Sequence, residues 1–329
     1  MQTKGIKTEV EAFFSCDFGF STYILIKGTK DLKRLVLDEE STAGNVSFRD
    51  KVKGKIVDSI KNTFLNKDVI YKEVENLADN DRNLYVIEQT EDYKPFDFLE
   101  NEELENLPTF SVSDKGEVDA LIFKMSFTRN NKCKTLWGYQ RVLPQSIPNK
   151  KGNFIQFIIK STNDIDVFTE LPEQIFTITE KIDLIIYQNK IITNNIKLME
   201  QHLGLEKFIR NAAKKAVDDI KGINIVQNIE KLDKFIDSNN KKYSRKMMQI
   251  NKFPVIDMTA KQLLNKIESV QRWKDKFMLK DNKILLRNFN DIESLIDLFT
   301  ERYTKSEVTG QEYDTDVKTK VDSLKNPTV

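Results

Sequence analysis

Residues 175–222 read IFTITEKIDLIIYQNKIITNNIKLMEQHLGLEKFIRNAAKKAVDDIKG, and within them the chain changes from sheet to helix. Ile175, Phe176, Ile178 and Ile182 lead into Leu184-Ile185-Ile186-Tyr187. A polar Gln188-Asn189-Lys190 break follows, then Ile191-Ile192. β-Branched and aromatic runs split by a short Asn-containing break predict a hairpin, because such side chains fit a pleated, half-buried surface. Asn194 or Asn195 can cap the next helix by accepting a bond from an orphan backbone N–H. Gly204 interrupts that helix. Leu205, Phe208, Ile209, Ala212, Ala216, Val217 and Ile220 then share one face at the helical period. Gly222 is expected to stop the helix, since glycine tolerates the left-handed conformation just past a helix end.

Outward from this stretch the two halves differ. On the N-terminal side, Phe13-Phe14 and residues 18–27 predict an early strand, which residues 32–37 can join across Gly28-Thr29-Lys30. Val52, Ile56, Ile60 and Phe64 fall at helical spacing, a helix of about three turns. Residues 69–71 and 84–87 predict short strands. Residues 118–127 and 135–142 predict longer ones joined through residues 128–132, and residues 154–160 another. Strand following strand, with no helix between each pair, favours antiparallel pairing.

On the C-terminal side the pattern is helical. Val226, Ile229, Leu232 and Ile236 form one stripe, and residues 241–250 a basic helix with Tyr243, Met247 and Ile250 on its apolar side. Phe253 must be extended, because Pro254 restrains it. Thr259 and Gln262 make a capping box for a helix with Leu263, Leu264, Ile267 and Val270 inside. Residues 277–279 and 284–286 flank Asp281-Asn282-Lys283 as a small hairpin. Asn290 is expected to cap a last helix bearing Ile292, Leu295, Ile296, Phe299 and Tyr303. The expected fold is α+β: a β-rich N-terminal half with antiparallel strands and a mainly helical C-terminal region with a small hairpin.

Composition narrows the class of protein. A chain of 329 residues can bury a large core or form two domains. Lys+Arg of 52 nearly cancels Asp+Glu of 51, so total charge selects no partner. Its distribution does. Residues 88–119 hold eleven acids against two lysines, and residues 241–287 hold thirteen Lys/Arg against four acids. A dipolar chain can meet a polyanion with one face without being basic overall. Solvated helix faces and loops would give the same counts. Two cysteines, Cys16 and Cys133, make no disulfide framework or metal site, so reduced cytosolic thiols are expected. The first ten residues lack a signal-peptide pattern, and no stretch approaches the roughly 18 apolar residues of a membrane helix. A cytoplasmic location is expected, at the inner membrane only through a partner.

Catalytic patterns are scarce. His202 is the single histidine, with no second His for a metal site or a triad. The 11 glycines include no Walker or dinucleotide spacing, so no cofactor is expected. A metal-dependent nuclease needs carboxylates and a lysine converging on a scissile phosphate. Asp92-Tyr93-Lys94, with Asp79 and Asp81 upstream, is the nearest imitation, and Pro95 would cut short the strand such a lysine sits on. No enzyme is expected, and a metal-dependent nuclease or a protein–protein interaction scaffold are the alternatives.

The basic segment carries the better candidates. Lys241, Lys242, Arg245 and Lys246 cluster with Tyr243, and Lys252 follows. Arg272, Lys274 and Lys276 cluster around Trp273, with Lys280 and Lys283 beyond. Flexible cations beside an aromatic suit a nucleic-acid backbone. Equally, Trp273 and Tyr243 can be core anchors with lysines keeping two helices soluble. No base-reading module is present, so binding would be mostly to phosphates, with little sequence preference.

The C-terminal half also resembles a known family. The hairpin of residues 183–193, Met199-Glu200, Gly204 and the helix of residues 205–221 are similar to the family that includes KwaB, the soluble component of the Kiwa anti-phage defence system. Ser306-Glu307-Val308-Thr309-Gly310, Tyr313 and a basic residue at Lys318 or Lys320 resemble its end signature. The resemblance covers roughly residues 154–320. It divides the chain into a β-rich region (1–150), a KwaB-like α+β region with the basic helices (151–313) and a polar tail (314–329), expected to be mobile. It implies a cytoplasmic, non-hydrolytic DNA-binding effector that suppresses phage replication or expression. Its implied partners are DNA and a small KwaA-like membrane protein, and a homodimer is expected.

Overall fold

The computed structural model describes residues 4–40, 46–74, 83–100, 104–111, 118–129, 131–142, 157–162, 165–170, 179–238, 241–305 and 312–314. The chain divides into two compact units, Met1–Ile196 and Lys197–Val329.

An eight-stranded sheet forms the first unit. Its strands are β1 (Gly19–Ile26), β2 (Leu32–Leu35), β3 (Ile70–Glu73), β4 (Asn83–Glu88), β5 (Val118–Arg129), β6 (Lys132–Arg141), β9 (Leu184–Tyr187) and β10 (Lys190–Thr193). Two further strands, β7 (Phe157–Thr162) and β8 (Ile165–Glu170), pair only with each other. The sheet order is β2-β1-β5-β6-β9-β10-β4-β3. Every neighbouring pair is antiparallel except β3 and β4, which are parallel.

The hairpin of the decisive stretch forms as its sequence predicts. Its two strands pair Ile186 with Ile191 and Ile185 with Ile192, and Gln188 takes a left-handed φ of 55° at the turn. This hairpin sits inside the sheet, between β6 and β4. All four β9 residues are buried. A strand covered on both faces reads as an unbroken apolar run rather than an alternating one.

Two helices cover one face. In α2 (Phe48–Phe64), Val52, Ile56, Ile60 and Phe64 are all buried, and the Ser47 hydroxyl accepts from the Asp50 N–H as its cap. The other is α1 (Lys4–Phe13), which buries Ile6, Val10 and Phe13 in the same core. Phe13 therefore belongs to a helix and not to the early strand, which begins at Gly19. The i, i+4, i+7 spacing of those three residues is helical, but ten residues make a marginal helix in isolation. Packing on the sheet stabilises it.

Short 3₁₀ turns, Asp97–Glu100 and Leu104–Asn106, lie in the acidic segment. Phe96 and Leu99 are buried there, and the Phe96 ring meets Tyr139 edge-on at 5.6 Å. Asp97 pairs with Lys30 at 2.6 Å, so part of the segment's charge is internally balanced. Glu102 and Glu103 lie outside the described residues, as do residues 171–178 with Ile175, Phe176 and Ile178.

The second unit is helical. After α3 (Ile196–His202), Gly204 adopts φ 73° and α4 (Leu205–Ile223) begins. Leu205, Ile209, Ala213, Ala216, Val217 and Ile220 form its buried face; Phe208 and Ala212 sit at its margin. The helix runs past Gly222 and ends at Asn224, which takes the left-handed conformation with φ 59°. Asn is the residue next best able to do so after Gly.

Val226 lies in a two-residue strand, β11 (Val226–Gln227), and not in the helical stripe; α5 (Glu230–Asp237) supplies Leu232 and Ile236. Next come α6 (Lys241–Met247), a 3₁₀ turn Pro254–Asp257, α7 (Ala260–Ser269) and α8 (Gln271–Lys276). Phe253 is extended at φ −112°, ψ 138°, and the Thr259–Gln262 capping box is present. The small hairpin joins β12 (Leu279–Lys280) to β13 (Lys283–Leu285) through Asp281 and Asn282 at φ 52° and 56°. Positive φ at both central positions is what a tight hairpin needs. One pairing was not legible: β11 adds to β13 in parallel.

The last helix, α9 (Phe289–Phe299), is capped by Asn288 rather than Asn290, in a reciprocal box with Asp291. Asn288 has the extended backbone that a cap requires, and its side chain accepts from the Asp291 N–H at 3.2 Å. Asn288→Ala should therefore lower stability by about 1 kcal/mol in a denaturant titration, whereas Asn290→Ala should leave it unchanged. Tyr303 belongs to β14 (Tyr303–Lys305), which pairs with β15 (Glu312–Asp314), and not to α9.

Candidate nucleic-acid interface

The candidate cations all lie in the second unit, on α6, the turn after it, and α8. A short helix with alternate duties positions the first group. Tyr243 and Met247 of α6 point into the core with Ile250, which places Lys241, Lys242, Arg245 and Lys246 around the rim of that apolar contact.

Three of these four cations are held by carboxylates. Lys241 Nζ lies 2.9 Å from Glu206 and 3.4 Å from Glu200. The bond to Glu206 is the main cause that raises the Lys241 pKa above the ordinary lysine value. Arg245 forms an ion pair with Glu200, whose side chain is only 9% exposed. Lys246 is buried, with its ammonium 3.3 Å from Asp297 and 5.3 Å from the centre of the Tyr243 ring. The Tyr243 hydroxyl donates to Glu293 at 2.5 Å, and burial raises its pKa, so the phenol stays protonated as a donor. Lys242 is different. It is exposed, lies 5.5 Å over the same ring, and has no carboxylate partner among the described residues.

The second group surrounds Trp273, which is 1% exposed and stacks on Phe277 at 5.7 Å. Arg272 lies 5.4 Å over the indole, and Lys276 lies 5.5 Å from its centre. Burial, and then the Arg272 charge, push the Lys276 pKa down; Asp297 and Glu293 oppose that shift. The acidic side of α9 thus faces both groups: Asp297 bonds Lys246 and also acts on Lys276. Lys274 is exposed, with no carboxylate partner among the described residues, and Lys252 is exposed on the turn after α6.

Both aromatics are therefore core anchors. Neither Trp273 nor Tyr243 offers an open face on which a base could stack, whereas Phe289, edge-on to Tyr243 at 5.7 Å, is exposed, and Lys242 and Lys274 present charge around these buried rings. Such a surface fits phosphates and reads no base edges. Sequence reasoning found the cations but missed Glu200, Glu206, Glu293 and Asp297, which decide how many are available. Glu206 stands five residues before Asn211 in an amphipathic helix, and nothing in local spacing marks it as the partner of Lys241.

Elsewhere the chemistry is sparse. Tyr93 is buried between exposed Asp92 and Lys94, and Lys94 lies 3.7 Å from Glu100. Asp79 and Asp81 lie outside the described residues. Among the described residues no three His, Cys, Asp or Glu side chains converge to hold a metal ion. His202 is exposed in the last turn of α3, and Cys16 and Cys133 are free thiols. No helix among the described residues is long and apolar enough to cross a membrane. Residues 306–310, Lys318 and Lys320 lie outside the described residues.

The family model described as Kiwa protein KwaB-like matches residues 115–309. The matched span runs from β5 through the β9–β10 hairpin and the helical unit as far as β14. No curated protein and no solved structure matches the chain.

Proposed function

The chain belongs to the Kiwa KwaB-like family, and from that membership we propose that it is a non-enzymatic DNA-binding effector. Its role is in Kiwa anti-phage defence. On this reading it acts as a homodimer, recruited to the inner membrane by a KwaA-like membrane-spanning partner, and suppresses phage replication or expression by occupying DNA.

The observation that carries the reading is the unequal use of the basic segment. Lys241, Arg245 and Lys246 are engaged by acids, whereas Lys242 and Lys274 are exposed without a carboxylate partner among the described residues. Arg272 and Lys276 flank Lys274 on α8. Cations that the fold does not neutralise are available to phosphates, and each phosphate neutralised releases counterions from DNA.

Binding of a labelled duplex across a salt series tests the reading. With about four phosphate contacts, affinity should fall on the order of a hundredfold between roughly 50 and 200 mM salt. The DNA should stay intact with magnesium present. A salt-independent or absent interaction would favour a scaffold, and magnesium-dependent cleavage would favour a nuclease.

A further inference from the structure

The first unit holds a cavity of about 360 Å³ on the sheet face away from α1 and α2. Leu136, Ile185 and Tyr187 face the helices, so strand alternation sends Trp137 and Ile186 to the opposite side. These two side chains form the floor, and Phe96 and Leu99 of the acidic segment form a wall. That volume is within the range of small-molecule sites, which combine apolar walls with a few polar groups.

The polar groups here are specific. Gln89, at the end of β4, lines the cavity and is 7% exposed, and its side-chain oxygen is buried with no hydrogen-bond partner among the described residues. Leaving a buried polar atom unpaired is costly, so native structures seldom do so without a reason. The Cys133 thiol and Thr135 hydroxyl, 3.7 Å apart, share the cavity's far end. Lysines outnumber acids at the mouth, where Glu100 also lines the cavity and lies 3.7 Å from Lys94. Lys124 lies 5.6 Å from the Trp137 ring centre on the same face, since the two residues are register partners. Lys132 and Lys134 are exposed at the rim with no carboxylate partner among the described residues. Their Cβ atoms alternate away from Cys133, and long flexible stems let the ammonium groups reach the opening.

We propose that this cavity binds a nucleotide. The base rests against the exposed edges of the Trp137–Ile186 floor and the Phe96–Leu99 wall, the Gln89 amide takes up hydrogen bonds on the base edge, and the phosphate sits toward Lys124, Lys132 and Lys134. The unpaired Gln89 oxygen needs an N–H or O–H donor, which a base's ring nitrogen or amino group supplies. The same chemistry is offered by a free mononucleotide and by a nucleotide swung out of a DNA strand. The site lies wholly within the first unit, whereas α8 belongs to the second.

Cys133 is a built-in reporter for the test. In a Cys16→Ser background, the rate of Cys133 alkylation would be measured with each deoxynucleoside monophosphate and with a short single-stranded oligonucleotide. Saturable protection of at least roughly tenfold is expected, matching a ligand bound most of the time. Gln89→Leu should abolish the protection without lowering the melting temperature, because it removes an unpaired buried oxygen rather than a bonded one. Protection by mononucleotides identifies a free ligand, and protection by the strand alone identifies an unstacked one. No protection by either, or unchanged protection in Gln89→Leu, overturns the proposal. Duplex affinity in the same variant should be unaltered. Loss of duplex binding in the parent protein with protection retained would sink the effector reading and leave the pocket standing.

Discussion

Lys242→Glu combined with Lys274→Glu is expected to weaken duplex binding about tenfold or more near 0.1 M salt and to flatten the salt dependence by roughly two contacts. Melting temperature should not change. Both side chains are exposed, and neither has a carboxylate partner among the described residues, so their loss removes no ion pair from the fold. Lys242 contributes only an exposed contact over Tyr243, worth well under 1 kcal/mol at most surfaces. The prediction separates DNA binding from self-association, because a scaffold would keep its DNA behaviour and change its oligomeric state. If affinity were untouched, α8 and Lys242 would not be the DNA-contacting surface.

Arg245→Ala is expected to act on stability, lowering it by about 2 to 3 kcal/mol, on the order of a 10 °C drop in melting temperature. The Arg245 side chain is 20% exposed and that of Glu200 9%, so the substitution leaves a carboxylate with little access to water. Lys241, 3.4 Å from the same carboxylate, retains part of its compensation, which keeps the loss below that of a fully buried pair. Adding Glu200→Gln should recover much of the loss, and the double-mutant cycle isolates the coupling. A loss under 0.5 kcal/mol, roughly the value of an exposed pair, would show that the contact is solvated. DNA affinity of the folded variant should change little, in contrast to Lys242 and Lys274.

These two outcomes differ because eight cations that look alike in sequence occupy different surroundings. Lys241, Lys242, Arg245 and Lys246 stand within six residues of one another, and spacing alone treats them as one cluster. The α6 helix turns Lys246 into a nearly buried position against Asp297 and Arg245 toward Glu200, and leaves Lys242 in solvent. The partners lie 51 and 45 residues away in the chain. No local pattern reports such distances.

Elements whose determinants are local were readable. The Val52–Phe64 stripe, the Thr259–Gln262 box, the Gly204 break and the Asp281-Asn282 turn each follow from side-chain chemistry or φ preference within a few residues. Elements stabilised by distant surfaces were not. Ten residues of α1 become helical by packing Ile6, Val10 and Phe13 on the sheet, and Val226 joins a strand because β13 offers an edge. Asn288 displaced Asn290 as the cap because Asp291, three residues on, could answer it.

The α+β character, the antiparallel hairpins, the amphipathic helices and the family are legible along the chain, since periodicity, turn chemistry and spaced motifs are properties of neighbouring residues. Tertiary structure decided the sheet order, with the β9–β10 hairpin placed beside β4, and the parallel pairing of β3 with β4. It also decided which cations remain available and brought the Gln89 amide, the Trp137 ring and the Cys133 thiol to one cavity. The physical reason is the same throughout: burial and ion pairing depend on which surfaces meet in space, and residues tens of positions apart meet only once the chain has folded.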